Sequence, residues 1–206
     1  MPREIEYFFS MASPWSYLGH AAFQEIAASH GLRVAYRPVA LGALFPETGG
    51  LPLARRHPAR QQYRLVELQR WRDRRGLPLV TRPRHTPFDP SLLDRAVIAL
   101  AASGHSPDAF MRRAFAAVWA EERNLEDAAV VAEVATSCGL DAASLLDRAG
   151  RAEATGEYAE NLQAALAAGV FGAPSWVLDG EVFWGQDRLD LLDEALRSGR
   201  APYTPG

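Results

Sequence analysis

Two hydroxyls three residues apart, Ser13 and Ser16 in Ser13-Pro14-Trp15-Ser16, are the side chains of this sequence best placed to do chemistry. The tetrad follows an apolar run from Ile5 to Phe9 and leads straight into Tyr17-Leu18-Gly19-His20-Ala21-Ala22-Phe23. A short apolar run reads as a buried strand, and Tyr17, Ala21 and Ala28 with Leu18, Ala22 and Ile26, at steps of three and four, read as helix. The tetrad is therefore a strand-to-helix turn. Ser13 suits the N-cap and Pro14 the first helical position, where its missing N–H costs nothing and its fixed φ already fits. A helix start of this kind offers free N–H donors at its positive end, where an anion, a thiolate included, is stabilised. The spacing is that of a Cys-Pro-x-Cys redox motif with both sulfurs replaced by hydroxyls. Such a site exchanges no disulfide of its own, but it can hold another molecule's thiol as thiolate. Taken alone, the same four residues also make an ordinary helix start.

The rest of the chain must position that turn. Its 206 residues and 48% apolar share belong to a globular protein with a real core. A net charge of −3 argues against general binding to nucleic acid or a membrane surface, although all 22 basic residues are Arg and many crowd between Arg55 and Arg84. No apolar run approaches membrane-spanning length, and Glu4 and Glu6 do not fit a signal peptide, so a cytoplasmic protein is expected. The single cysteine, Cys138, sits in a helical stretch before Gly139 and reads as a packing residue. His20, His30, His57 and His105 show no metal-ligand spacing, and no metal is expected.

In chain order, Val34 to Pro38 reads as a second strand, which completes a βαβ unit with right-handed crossover. Ala40 to Pro58 is rich in Gly and Pro, and Phe45 to Pro52 in particular reads as neither helix nor strand. Helix dominates from Arg60 to Ala168, in five or six pieces separated by Gly76-Leu77-Pro78, the proline-rich Thr81 to Pro90, Gly104 and Gly139. Ser91, Ser106-Pro107 and Asn124 or Asp127 are candidate starts. After Gly169, Ser175 to Leu178 and Glu181 to Trp184 flank Asp179-Gly180 and read as a hairpin with a type I′ turn. A last helix follows Gly185-Gln186-Asp187, with Asp187 in reach of its first N–H groups. The order βαβ, helical insertion, ββα is that of an α/β thioredoxin-like fold, with residues 1–40 and 170–206 as the thioredoxin-like domain and 41–169 as an inserted helical domain.

Three motifs in this order, Ser13-Pro14-Trp15-Ser16-Tyr17, Gly169-Val170-Phe171-Gly172-Ala173-Pro174 and Phe183-Trp184-Gly185-Gln186-Asp187-Arg188, resemble those of the 2-hydroxychromene-2-carboxylate isomerases. That family is similar to the kappa-class glutathione transferases and, further off, to DsbA-like oxidoreductases. The resemblance spans essentially the whole chain. It implies that glutathione is bound, that Ser13 is catalytic and hydrogen-bonds the glutathione sulfur, and that Pro14 and Trp15 belong to the same binding turn. It also implies that Ala173-Pro174 is a cis peptide whose backbone pairs with the cysteinyl unit; a trans proline opening a strand is the alternative. Gln186 and Asp187 match positions holding the γ-glutamyl end, Asp187 having a plain N-cap as its other reading. Arg60, in Pro58-Ala59-Arg60, falls where the family often has a lysine for the glycyl carboxylate. Many relatives carry Asn where this chain has Gly50, and Asn near Asp89, which are departures from the pattern.

The implied reaction interconverts 2-hydroxychromene-2-carboxylate and trans-o-hydroxybenzylidenepyruvate, in the degradation of aromatic hydrocarbons, without consuming glutathione. The partners are then glutathione and a small aromatic carboxylate, with Trp15, Tyr17 and Trp184 as candidates for the aromatic side of the pocket, each equally readable as core, and Arg82, Arg84 or His85 for the carboxylate, each otherwise a solvated surface residue. Relatives are commonly dimers, so a homodimer is expected. A kappa-like glutathione transferase or a glutathione-dependent oxidoreductase is the alternative enzyme, and a DsbA-like protein that grips peptides without chemistry is the alternative outside enzymes.

Overall fold

The computed structural model describes residues 3–204. Strand β1 (Glu4–Phe9) is followed by helix α1 (Pro14–Ser29) and strand β2 (Arg33–Pro38), which lies parallel to β1. Strands β3 (Ser175–Leu178) and β4 (Glu181–Trp184) form an antiparallel hairpin, and β3 pairs antiparallel with β1. The sheet order is β2-β1-β3-β4. The hairpin turns at Asp179 and Gly180, which both have positive φ (50° and 87°), as an Asp-Gly pair between two apolar runs leads one to expect.

Between the two halves runs the helical insertion: α2 (Leu41–Thr48), α3 (Pro58–Arg75), α4 (Ser91–Ala102), α5 (Asp108–Trp119), α6 (Ala128–Ser137), α7 (Ala142–Gly150) and α8 (Ala152–Ala167). Helix α9 (Leu189–Ser198) closes the described chain. The fold is thus the expected mixed sheet with an inserted helical block. β1 is apolar throughout its second half because both faces of the sheet are covered. Ile5, Tyr7 and Phe9 join Trp176, Phe23, Leu93, Val97 and Phe115 in the larger core, while Phe8 points the other way to Val39, Leu44, Ala165, Val170 and Val177.

One segment departs from its sequence reading. Leu41–Thr48 is helical although Pro46 lies inside it, where a proline removes a backbone hydrogen bond. Leu44, fully buried in the smaller core, anchors the helix, and Gly49 ends it in the left-handed conformation (φ 75°). Tertiary packing overrides local propensity in this short helix. Asp127, one of the two expected caps, closes the start of α6 through Ala129 N–H, and Asp141 caps α7 through Ser144 N–H, whereas Ser91 and Ser106 are not N-caps, since α4 and α5 start from Pro90 and Pro107 without a side-chain bond. No helix among the described residues is long and apolar enough to cross a membrane.

Candidate active site

The end of β1 turns through Ser10 to Ser13, closed by the Ser13 N–H on the Ser10 carbonyl at 3.0 Å. Ser13 has the non-helical backbone of an N-cap (φ −100°, ψ 116°), and its Oγ accepts the Ser16 N–H at 3.2 Å. The Tyr17 N–H is taken by the Ser13 carbonyl at 3.1 Å, and Pro14 has no N–H to offer. The expected group of free donors therefore reduces to one backbone N–H, that of Trp15, which makes no bond among the described residues. Ser13 also donates its hydroxyl proton to the Ala173 carbonyl at 3.4 Å, a length at which a hydrogen bond is weak and readily exchanged for a better acceptor. Beneath it the Ser16 hydroxyl is fully buried and has no partner among the described residues.

The Ala173-Pro174 peptide is cis and lies against the serine turn, so the structure brings Ser13, Ala173 and Pro174 together. Thr86-Pro87, which the sequence did not flag, is cis as well. The Pro174 carbonyl accepts the Gly185 N–H at 2.9 Å, which joins the cis turn to the next loop. Gly185 has φ 98°, a conformation that glycine alone adopts freely, and a Cβ there would lie 2.4 Å from an Asp187 carboxylate oxygen. Gln186, only 2% exposed, is held by Arg75: the guanidinium donates to Gln186 Oε1 at 3.1 Å and to its backbone carbonyl at 2.9 Å. A Cβ on Gly19 of α1 would come within 2.7 Å of Gln186 Cβ, so this contact is tight from both sides. Asp187 is half-exposed and accepts from Arg188 at 2.7 Å. It does not cap α9, whose N-cap is Arg188 without a side-chain bond, because a 3-10 turn over Gln186–Arg188 separates the two.

The other sequence candidates are more scattered. Arg60 stands exposed in the first turn of α3, and about 22 Å of helix rise separates it from Arg75, so it does not reach the Gln186 turn directly. Arg56, Arg60 and Arg64 follow one another at steps of four, and no carboxylate pairs with them among the described residues. Burial, and then the neighbouring guanidinium, lowers the pKa of Arg56 and of Arg64. Trp15 is half-buried against the core, Tyr17 is buried with its hydroxyl donating to the Pro78 carbonyl at 2.7 Å, and Trp184 is 51% exposed with its ring against Phe171. Tyr17 is thus a core residue. Arg82, Arg84 and His85 are exposed, and the Arg84 N–H is taken by Glu122. At Gly50 a Cβ would lie 2.5 Å from the Phe45 ring, so a larger residue requires Phe45 to move. Cys138 caps α6, its thiol 3.7 Å from the Ala109 carbonyl.

A pocket of about 450 Å³ opens beside the serine turn, lined by Ser10 and Ala12 of that turn, Leu41 of α2, Phe88 and Ser91 before and in α4, and Tyr158 of α8. Behind its wall Asp94 is completely buried. Its Oδ1 accepts the Met11 N–H at 3.1 Å and its Oδ2 meets the Tyr158 hydroxyl at 2.9 Å. Burial pushes the Asp94 pKa up to about 7. Sequence reading passed over this pair. An acidic residue amid Leu92, Leu93, Ala96 and Val97 was the available signal, whereas nothing local pointed to Tyr158 or Arg75.

The family model of the DSBA-like thioredoxin domain matches residues 4–197. The chain belongs to this family. Within it, the chain is 30% identical over 196 residues to a 2-hydroxychromene-2-carboxylate isomerase of Pseudomonas putida, covering 93% of each chain. The solved structure of a 2-hydroxychromene-2-carboxylate isomerase superposes with a TM-score of 0.80 at 30% identity, over 95% of each chain. Glutathione S-transferase kappa 1 of Rattus norvegicus is 24% identical over 205 residues, covering 93% of this chain and 89% of that one. These DsbA-like relatives align along nearly their whole length, and isomerases are prominent among them.

Proposed function

We propose that the protein is a glutathione-dependent isomerase interconverting 2-hydroxychromene-2-carboxylate and trans-o-hydroxybenzylidenepyruvate. The observation that carries the reading is the Ser13 hydroxyl at the N-terminus of α1, whose proton is engaged only by a 3.4 Å bond to the carbonyl of the cis Ala173-Pro174 turn. The donor set fits a thiol-bearing peptide: a hydroxyl that can turn away from a weak acceptor, the unspent Trp15 N–H, and the Ala173 N–H, which makes no bond among the described residues. When bound, glutathione supplies a thiolate that adds reversibly to the conjugated double bond of the ring-opened substrate and so permits rotation about it.

Ser13 and the Trp15 N–H stabilise negative charge on the sulfur, aided by the positive end of α1, and Pro14 leaves that end open by spending no donor. Ala173 offers both backbone groups to the cysteinyl unit in strand fashion, with Pro174 fixing the turn. Asp187 takes the γ-glutamyl ammonium, and Gln186, locked by Arg75, holds the turn whose unspent N–H groups face its carboxylate. Arg60, within the unpaired Arg56-Arg60-Arg64 stripe, answers the glycyl carboxylate. The aromatic substrate occupies the neighbouring pocket, with Phe88 and Leu41 as its apolar surfaces. A cytoplasmic homodimer belongs to the same reading.

Titration calorimetry with glutathione, followed by a spectrophotometric assay of isomerisation with and without it, tests this reading. Saturable binding and a rate that requires glutathione while leaving its concentration unchanged are expected. A rate that consumes glutathione favours the kappa-like transferase, a reading supported by the likeness to the rat kappa enzyme. Absence of saturable glutathione binding refutes the proposal.

A further inference from the structure

Asp94 is an unusual group to find behind a pocket wall. It is fully buried, and the groups that reach it are Tyr158 from α8, Asp89 from the turn before α4 and its neighbour Arg95. None of them neutralises it by contact. Arg95 directs its guanidinium at the Ala149 carbonyl, at 2.9 Å, and Asp89 is occupied with Ser91 at the start of α4. Of the cations on the elements packed against α4, Arg37 of β2 is bonded to Glu6 and Asn161, Arg33 of β2 is paired with Glu4, Arg112 and Arg113 of α5 are paired with Asp108 and Glu121, and Arg148 of α7 is bonded to the Ser144 and Ala99 carbonyls. An uncompensated carboxyl in such a place is held in its neutral form until the pH is near 7.

The hydrogen bonds then say where the proton sits. Oδ1 faces a backbone N–H, that of Met11, and can only accept. The acid proton is therefore on Oδ2, facing the Tyr158 oxygen at 2.9 Å. With Asp94 neutral, Tyr158 accepts this bond and its own O–H is free to point into the pocket it lines. With Asp94 ionised, Tyr158 must turn its O–H inward to the carboxylate, and the pocket meets only an oxygen lone pair. The pair is a two-position donor built into the wall next to the serine turn.

Resting on the isomerase reading of the same site, we propose that Tyr158 is the proton donor to the oxo oxygen of an aromatic 2-oxo acid in this pocket, and that Asp94 supplies it. As the electron pair of the substrate's double bond shifts toward the oxo group, an O–H bond forms on that oxygen and the Tyr158 O–H bond breaks. Tyr158 regains a proton as the Asp94 O–H bond breaks. When the electron pair returns, each proton moves back, and the cycle consumes none. Tyr158 touches the substrate and is the catalytic residue of the pair; Asp94 acts through it as a positioning residue.

The test needs neither glutathione nor turnover. Binding of phenylpyruvate to the protein is followed by tryptophan fluorescence between pH 5.5 and 8.5 for the wild type, Tyr158→Phe and Asp94→Asn. Wild-type affinity is expected to fall about tenfold between pH 6 and pH 8 as Asp94 ionises. Asp94→Asn, whose amide donates permanently to Tyr158, should keep the low-pH affinity throughout; Tyr158→Phe should bind weakly with no pH dependence. A pH dependence that survives in Tyr158→Phe overturns the proposal, because charge repulsion from Asp94 alone then explains it, and so does equal binding by all three proteins. If binding behaves as expected but glutathione supports no isomerisation, the assigned function fails and the donor pair stands.

Discussion

Replacing Asp94 by Asn should make the protein more stable at alkaline pH, against the usual expectation for a mutation at a fully buried position. Asn keeps the acceptor that meets the Met11 N–H at 3.1 Å and offers an amide donor to Tyr158 in place of the acid proton, so it reproduces the neutral carboxyl without being able to ionise. Asp94 ionises near 3.8 in the unfolded chain and at about 7 in the fold. Between those two values the unfolded state gives up its proton and the native state does not. Wild-type stability therefore falls as the pH rises through that window, at up to about 1.4 kcal/mol per pH unit, and levels off above it. Relative to Asp94→Asn, the wild type should lose about 2.5 kcal/mol between pH 5 and pH 8. Urea denaturation of both proteins at the two pH values measures this directly, and every other titrating group cancels in the difference. Parallel pH dependences for the two proteins would refute the reasoning, since Asp94 would then titrate as it does in the unfolded chain.

Ser13→Ala removes one hydrogen bond to a charged sulfur and should slow glutathione-dependent isomerisation about ten- to a hundredfold, while Cys138→Ala leaves turnover nearly intact; steady-state kinetics of the two variants decide between a borrowed thiol and the protein's own. Arg75→Ala releases the Gln186 side chain and carbonyl, and should raise the KM for glutathione about tenfold with kcat largely retained, since the turn moves but Ser13 does not. Leu44→Ala, which empties the buried anchor of α2, should cost about 2 to 4 kcal/mol in urea denaturation, and a cost near zero would mean that packing is not what holds a proline-bearing helix in place.

What the sequence disclosed, and what it withheld, divides by distance along the chain. The Ser-Pro start of α1, the Asp-Gly hairpin and the Asp127 cap are local, each a residue type whose backbone or side chain suits one position, and each stands where the residues implied. The helix over Leu41–Thr48 was illegible because its stability comes from Leu44 meeting Val170 and Val177, residues far away in sequence, against a local signal of the opposite sense. Tyr17 read equally as pocket lining or core, and the structure decides for the core: its hydroxyl is satisfied by Pro78, which no periodicity reveals. Arg75 was one arginine in a crowd until the structure set it against Gln186.

The same division explains why the helical insertion matters to a site that sits on the sheet. Both loops beside Ser13 are held from behind by one side chain of the insertion. Asp94 of α4 fixes the Met11 N–H at the start of the serine turn, and Arg75 of α3 fixes Gln186 in the loop that Gly185 ties to Pro174. A redox turn that carries its own sulfurs can leave its second reactant to collide from solution. A turn with hydroxyls in their place must keep a borrowed thiol and a second molecule at fixed positions together, and misplacement by an ångström there costs about a hundredfold in rate, as much as loss of the Ser13 hydrogen bond itself. The two ties supply that rigidity from outside the sheet. The Asp94 tie serves in either protonation state, because the Met11 N–H donates to Oδ1 while the proton comes and goes on Oδ2, so the proposed change of donor at Tyr158 leaves the serine turn held.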